Sequence, residues 1–180
     1  MEEKIKNIRI SFLLLAITLW VCVVFWMVVI FYLSSESGSD SSARTMEFGK
    51  LIATFTGRVF PSYVIRKLAH FMEYAILTFI SYLALASSFR ILISRKIVVI
   101  NEKDIKPGFD LNASFSIWIT VLFAVVDEYH QLFVPGRIGS IFDVLIDVAG
   151  GFFILIVIRI VIFIAKIASK KRPQEPLLVD

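Results

Sequence analysis

Residues 121–137 read VLFAVVDEYHQLFVPGR. The stretch begins as a membrane-type apolar run, then places Asp127, Glu128, His130 and Gln131 inside that run, just ahead of Pro135-Gly136. An unpaired charge at such a depth is costly, so these side chains must pair with one another, hold water or bind something. Whether they do so inside a helical bundle depends on what the rest of the chain supplies.

The chain has 180 residues, 58% of them hydrophobic and 14% aromatic, with a mean hydropathy of +0.82. A soluble domain of this length cannot hide so much apolar surface. The class is therefore all-α, an integral membrane four-helix bundle forming one domain over residues 1–180. Its spans lie at about 10–33, 64–94, 114–134 and 141–165, each long enough at about 1.5 Å per residue to cross a hydrocarbon core of about 30 Å. The first is too long for a signal-peptide core and reads as a retained anchor. Trp20, Trp26 and Trp118 read as ordinary membrane aromatics. The lone Cys22 excludes an intrachain disulfide and a zinc-finger pattern. The net charge of +4 does not point to nucleic acid, because the Lys and Arg residues gather at segment ends.

Those basic residues set an expected orientation. Lys4, Lys6 and Arg9, then Arg90, Arg95, Lys96, Lys103 and Lys106, then Lys166, Lys170, Lys171 and Arg172 fall on one side of a four-pass topology. The other side has Arg44, Lys50, Arg58, Arg66, Lys67 and Arg137, partly offset by Glu36, Asp40 and Glu47. Twelve against six predicts both termini on the cytoplasmic side of the membrane. In the first outside connection, SSESGSDSSAR (34–44) reads as flexible. After it, Phe48, Leu51, Ile52, Phe55 and Val59 recur at helical spacing. They fit either an amphipathic helix on the outer surface or a linker that packs its apolar residues on the bundle.

Depth brings the ionisable residues together. Glu73, Asp127 and Asp147 each lie roughly 10–12 Å inside the outer end of their own helix. His70, His130 and Asp143 lie a turn or less shallower, and the two histidines are the only ones in the chain. At about 100° per residue, Asp127, Glu128, His130 and Gln131 share one side of the third helix. Lys67, His70, Glu73 and Tyr74 share a face of the second, and Asp143 and Asp147 stand one turn apart on the fourth, above Gly150 and Gly151. Three polar faces are thus expected to converge on one outward-facing polar pocket, with Lys67 and Arg137 at its rim. Arg137 is expected to pair with Glu128 or to hold a phosphate.

Two blocks, RKLAHFMEYAILTFISYLAL (66–85) and DEYHQLFVPGRIGSIFDVLIDVAGG (127–151), resemble the signature blocks of the VanZ-like family. FYLSSESGSD (31–40) is also similar to the segment that follows that family's first helix. The resemblance implies a small bacterial integral membrane protein of the teicoplanin-resistance type. It carries Lys67, His70, Glu73, Tyr74, Asp127, Glu128, His130, Gln131, Pro135, Gly136, Arg137 and Asp143 over as family positions. Asp147 stands where the family often has Asn and adds a carboxylate.

Three function classes follow. The first is an accessory protein acting at the outer leaflet on membrane lipid, a lipid-linked cell-wall precursor or a lipoglycopeptide, with no cofactor. The second is a membrane-embedded enzyme on a lipid-linked substrate. Its acid–base candidates are His70, Glu73, Asp127, Glu128 and His130, and its divalent-metal candidates are His70, Glu73, Asp127, His130 and Asp143. In either class Lys67, Tyr74, Gln131, Arg137, Asp143 and Asp147 are the binding candidates. The third is a transporter or proton relay, which four helices would serve only as an oligomer.

Overall fold

A computed structural model describes residues 2–94 and 110–170, with side chains over 10–91 and 110–169. Most of the basic residues that set the expected orientation belong to segments or side chains outside this range. The described residues form five helices: α1 Glu2–Ser34, α2 Gly38–Thr56, α3 Ser62–Ser94, α4 Leu111–Gln131 and α5 Ile141–Lys170. Four are long and apolar enough to cross a membrane, over Ile10–Ser34, Ser62–Ile91, Leu111–Gln131 and Ile141–Ser169. The central helix is α3, which packs on all four others.

Burial runs opposite to that of a soluble protein. Val21, Val24, Phe25 and Val28 of α1 and Ile156, Ile160 and Phe163 of α5 are exposed, while Ser81, Ser116, Thr120, Asp127 and Asp147 are buried. Lipid is as apolar as leucine, so helices gain by turning small and polar groups toward one another. Thr78 and Thr120 share a hydrogen bond of 2.6 Å between α3 and α4. Trp20 Nε1 donates to Ser88 Oγ at 3.1 Å, and Trp26 Nε1 to the Glu73 carbonyl at 2.9 Å. These two indoles are therefore ties between α1 and α3 as well as membrane aromatics.

Small residues set the closest approaches. A Cβ on Gly150 would overlap the backbone of Phe71, so α5 lies directly against α3 there. A Cβ on Gly38 would overlap the Gly136 carbonyl, and the Gly38 N–H donates to the Pro135 carbonyl at 3.0 Å. The turn between α4 and α5 thus rests on the turn between α1 and α2. That turn begins three residues earlier than the expected end at 134. Phe133 N–H bonds His130 O and Val134 N–H bonds Gln131 O, tight contacts that close α4 at Gln131.

The Ser-rich connection differs from expectation. It is helical from Gly38 onward, because Ser37 Oγ accepts the Asp40 N–H at 3.2 Å and donates to Asp40 Oδ2 at 2.7 Å. This is a capping arrangement that Ser-x-x-Asp encodes. The helix turns Ser41 and Thr45 to the bundle and leaves Phe48, Leu51 and Phe55 exposed. The apolar stripe lies on a helix and divides: Leu51 and Phe55 face outward, while Phe48 and Ile52 border a cavity against the bundle.

Candidate functional site

The end of the bundle where α1 stops and α3 begins encloses a cavity of about 380 Å³. Its walls come from α1 (Ile30, Leu33, Ser34), α2 (Ser41, Arg44, Thr45, Phe48, Ile52), α3 (Ile65 to Glu73, except Lys67 and Phe71), Asp127 of α4 and Arg137 of the following turn. Arg66, Ala69, His70 and Glu73 recur three or four residues apart, which places them on one face of α3. Phe48, Leu68 and Met72 are each about half exposed, so the cavity reaches the surface along an apolar edge.

Three guanidinium groups border it. Arg44 Nη1 pairs with Glu36 Oε1 at 2.9 Å. Arg66 Nη2 donates to Ser42 Oγ at 3.1 Å, while its Nε is buried without a hydrogen-bond partner among the described residues. Arg137 does not pair with Glu128 as expected. Its Nε and Nη2 donate to the carbonyls of Glu36 at 3.1 Å and Leu33 at 2.9 Å, groups that the C-terminus of α1 leaves open. Burial, then the Arg66 and Arg44 charges nearby, lowers the Arg137 guanidinium below its usual range.

Behind the cavity lies a polar network within the bundle. Asp127 Oδ2 accepts from Ser34 Oγ at 3.0 Å and Gln131 Nε2 at 3.2 Å. Glu128 Oε1 accepts from the same amide at 3.2 Å, and its Oε2 from the Ser140 N–H at 2.8 Å. His70 Nδ1 stands 3.4 Å from Asp147 Oδ1. Asp147 and Tyr74 are both 0% exposed. The Tyr74 hydroxyl, both Asp147 oxygens, Asp127 Oδ1 and His70 Nδ1 are buried without hydrogen-bond partners among the described residues.

The expectation of one shared pocket needs correction. His70, Glu73 and Asp127 line the cavity, but His130 and Asp143 do not. His130 Nε2 lies 3.1 Å from Ser35 Oγ, with its ring centroid 4.3 Å from that of Phe31, and joins the ends of α4 and α1. Asp143 pairs with Lys67 at 3.0 Å on the outside of the α3–α5 contact, which takes Lys67 away from the cavity. Nor does the expected metal set come together as a unit. The donors that do are His70, Glu128 and Asp147, all within 4.8 Å of one another. Arg44 and Arg66, which the sequence marks only as basic residues of the first outside connection, border the cavity. The Ser37-x-x-Asp40 cap signalled the helix that presents Arg44, and Arg66 stands one and two turns before His70 and Glu73.

Fold and site together define a helical membrane protein with a partly polar cavity at one end of its bundle. The model of the VanZ/LLP1 family matches residues 19–163. The chain belongs to that family. Neither a curated protein nor a solved structure matches it.

Proposed function

We propose that the cavity receives the anionic head of an amphiphile at the outer face of the bacterial cytoplasmic membrane. The observation that supports this reading is the meeting of Arg44, Arg66 and Arg137 on a cavity with an apolar edge at Phe48, Leu68 and Met72. Guanidinium groups that repel one another are stabilised by an anion between them, and the planar fork of Arg suits phosphate and carboxylate oxygens. A tail would pass over the apolar edge into lipid. Membrane phospholipid, a lipid-linked cell-wall precursor and a lipoglycopeptide of the teicoplanin type share this chemistry, which fits a role in the cell envelope and in resistance to such drugs. The excess of basic residues on the opposite side of the expected topology supports a cavity on the outside. A cysteine at the exposed Ser39 should then react with an impermeant thiol reagent in intact cells, and one at Asn101 should not; the reverse pattern would sink the orientation.

Phosphatidylglycerol, phosphatidylcholine and teicoplanin are the probes of binding, each measured on the purified chain in nanodiscs. Phosphatidylglycerol should bind more tightly than phosphatidylcholine, and Arg66→Gln should weaken it by about tenfold, the loss of one charge-assisted hydrogen bond. Equal affinity for the two lipids, unchanged by Arg66→Gln and with no teicoplanin binding, would defeat the reading. A second reading, acid–base or metal-dependent chemistry on the same amphiphile, is favoured by one observation: His70 lines the cavity and also faces Asp147.

A further inference from the structure

We propose that His70, Glu128 and Asp147 bind one divalent transition-metal cation, of the class of Zn2+ or Mn2+. Each comes from a different helix, α3, α4 and α5, and each offers a donor atom within 4.8 Å of the other two. An imidazole with two carboxylates is a borderline donor set that suits these ions better than soft Cu+ or hard Ca2+.

A cluster of acids alone would mean little. The independent observation is the state of Asp147 and His70. Asp147 is wholly buried, and among the described residues neither of its oxygens has a hydrogen-bond partner, nor does the buried His70 Nδ1 that faces it. At 3.4 Å the two are in ion-pair contact without hydrogen-bond geometry. Asp147 Oδ2 is left with no partner among the described residues, and leaving such a buried oxygen unsatisfied costs roughly 1–3 kcal/mol. A simple imidazolium–carboxylate pair would serve one Asp147 oxygen at most and would not involve Glu128. A cation serves the imidazole and both carboxylates together.

The surroundings are those of a held ligand set. Glu128 is oriented by the Ser140 N–H at 2.8 Å and the Gln131 amide at 3.2 Å, the outer contacts that fix metal-binding carboxylates. Gly150, one turn below Asp147, lies directly on the backbone of Phe71, next to His70. This contact brings α5 close enough to α3 for Asp147 to meet the imidazole. Small rotations of the two carboxylates would draw the donors in to coordination distance. Three protein ligands leave a position for water or substrate, as in catalytic zinc sites. His70 lines the arginine-bordered cavity, so the cation would sit at that cavity's wall.

The proposal stands apart from the amphiphile reading, because its readout is metal content rather than lipid binding. The full chain, purified in detergent without a polyhistidine tag or chelator, should contain about one equivalent of metal by inductively coupled plasma mass spectrometry. After stripping with a chelator, Co2+ should bind saturably with visible d–d bands. His70→Ala and Asp147→Asn should lower Co2+ affinity by at least about tenfold. Asp147→Cys keeps a ligand at that position and should add a thiolate-to-cobalt charge-transfer band. That variant decides the matter even if His70→Ala fails to fold. The proposal is overturned if the wild-type chain carries no stoichiometric metal and the stripped protein shows no saturable Co2+ spectrum. It is equally overturned if Co2+ binds Asp147→Cys without the charge-transfer band.

Discussion

At one end of the bundle, buried Asp127, Glu128, Gln131 and Asp147 sit among α1, α3, α4 and α5, and the turn after α4 is tied to the end of α1. At the other end, α1 and α5 present Leu13, Leu14, Ile17, Ile160, Val161 and Phe163 outward. Cross-helix polar ties there include Trp20–Ser88 at 3.1 Å and Tyr82–Asp110 at 3.1 Å. Among the described residues, the buried ionisable groups Asp127, Glu128 and Asp147 all lie at the near end, while the far end turns apolar surface to lipid and ties its helices with hydrogen bonds. The near end thus carries an excess of buried ionisable groups, at a depth where each is costly. That excess is the physical argument for a site.

The sharpest way to break this contrast is to push the near end apart. Gly150→Leu places a side chain where Phe71 backbone already lies, so α3 and α5 must separate. The expected loss is about 3 kcal/mol, the upper part of the range for overpacking, read as a lower midpoint in denaturing-detergent unfolding. Ile160→Leu, at an exposed far-end position, should leave the midpoint unchanged. A harmless Gly150→Leu would mean that the near end is not closely packed.

A smaller effect is expected at Arg137. Its two donors hold carbonyls at the end of α1, so Arg137→Ala should cost about 2 kcal/mol in the same assay, the scale of hydrogen bonds made by a charged group. Arg137→Lys should recover only part of it, because an ammonium cannot span two carbonyls as the planar fork does. Full recovery by Lys would show that charge, rather than geometry, holds the turn.

Much of this contrast was legible in the sequence. The four spans follow from the length of their apolar runs, and the common depth of Glu73, Asp127 and Asp147 follows from helical rise alone. What escaped depends on contacts between elements. The wheel of α3 puts Lys67 and Arg66 on either side of the same polar sector, and only the position of α5 decides that Lys67 turns to Asp143 while Arg66 turns to α2. The helix α2 was half hidden because the first turns of its bundle-facing side carry Ser41 and Thr45, small polar residues that carry no hydrophobic period. Its start was written in Ser37 and Asp40. His130 shares a helix side with Asp127 but lies nearly a turn closer to the end, which takes it past the cavity to Ser35 and Phe31.

The smallest expected effect separates two neighbouring cations. Lys67 and Asp143 meet at 3.0 Å with side chains 47% and 30% exposed. An ion pair so open to its surroundings contributes about 0.5 kcal/mol or less, since screening and side-chain entropy offset most of the attraction. Lys67→Ala should therefore shift the unfolding midpoint barely measurably and leave phosphatidylglycerol binding as it is. Arg66→Gln, one residue away, should leave stability similar and weaken binding. The pair of variants reads the face of α3 directly, because the two residues differ by about 100° around the helix. If Lys67→Ala weakens phosphatidylglycerol binding as much as Arg66→Gln does, then the lipid is attracted by the general positive charge at this end of the bundle. The three arginines would then have no special place in holding it.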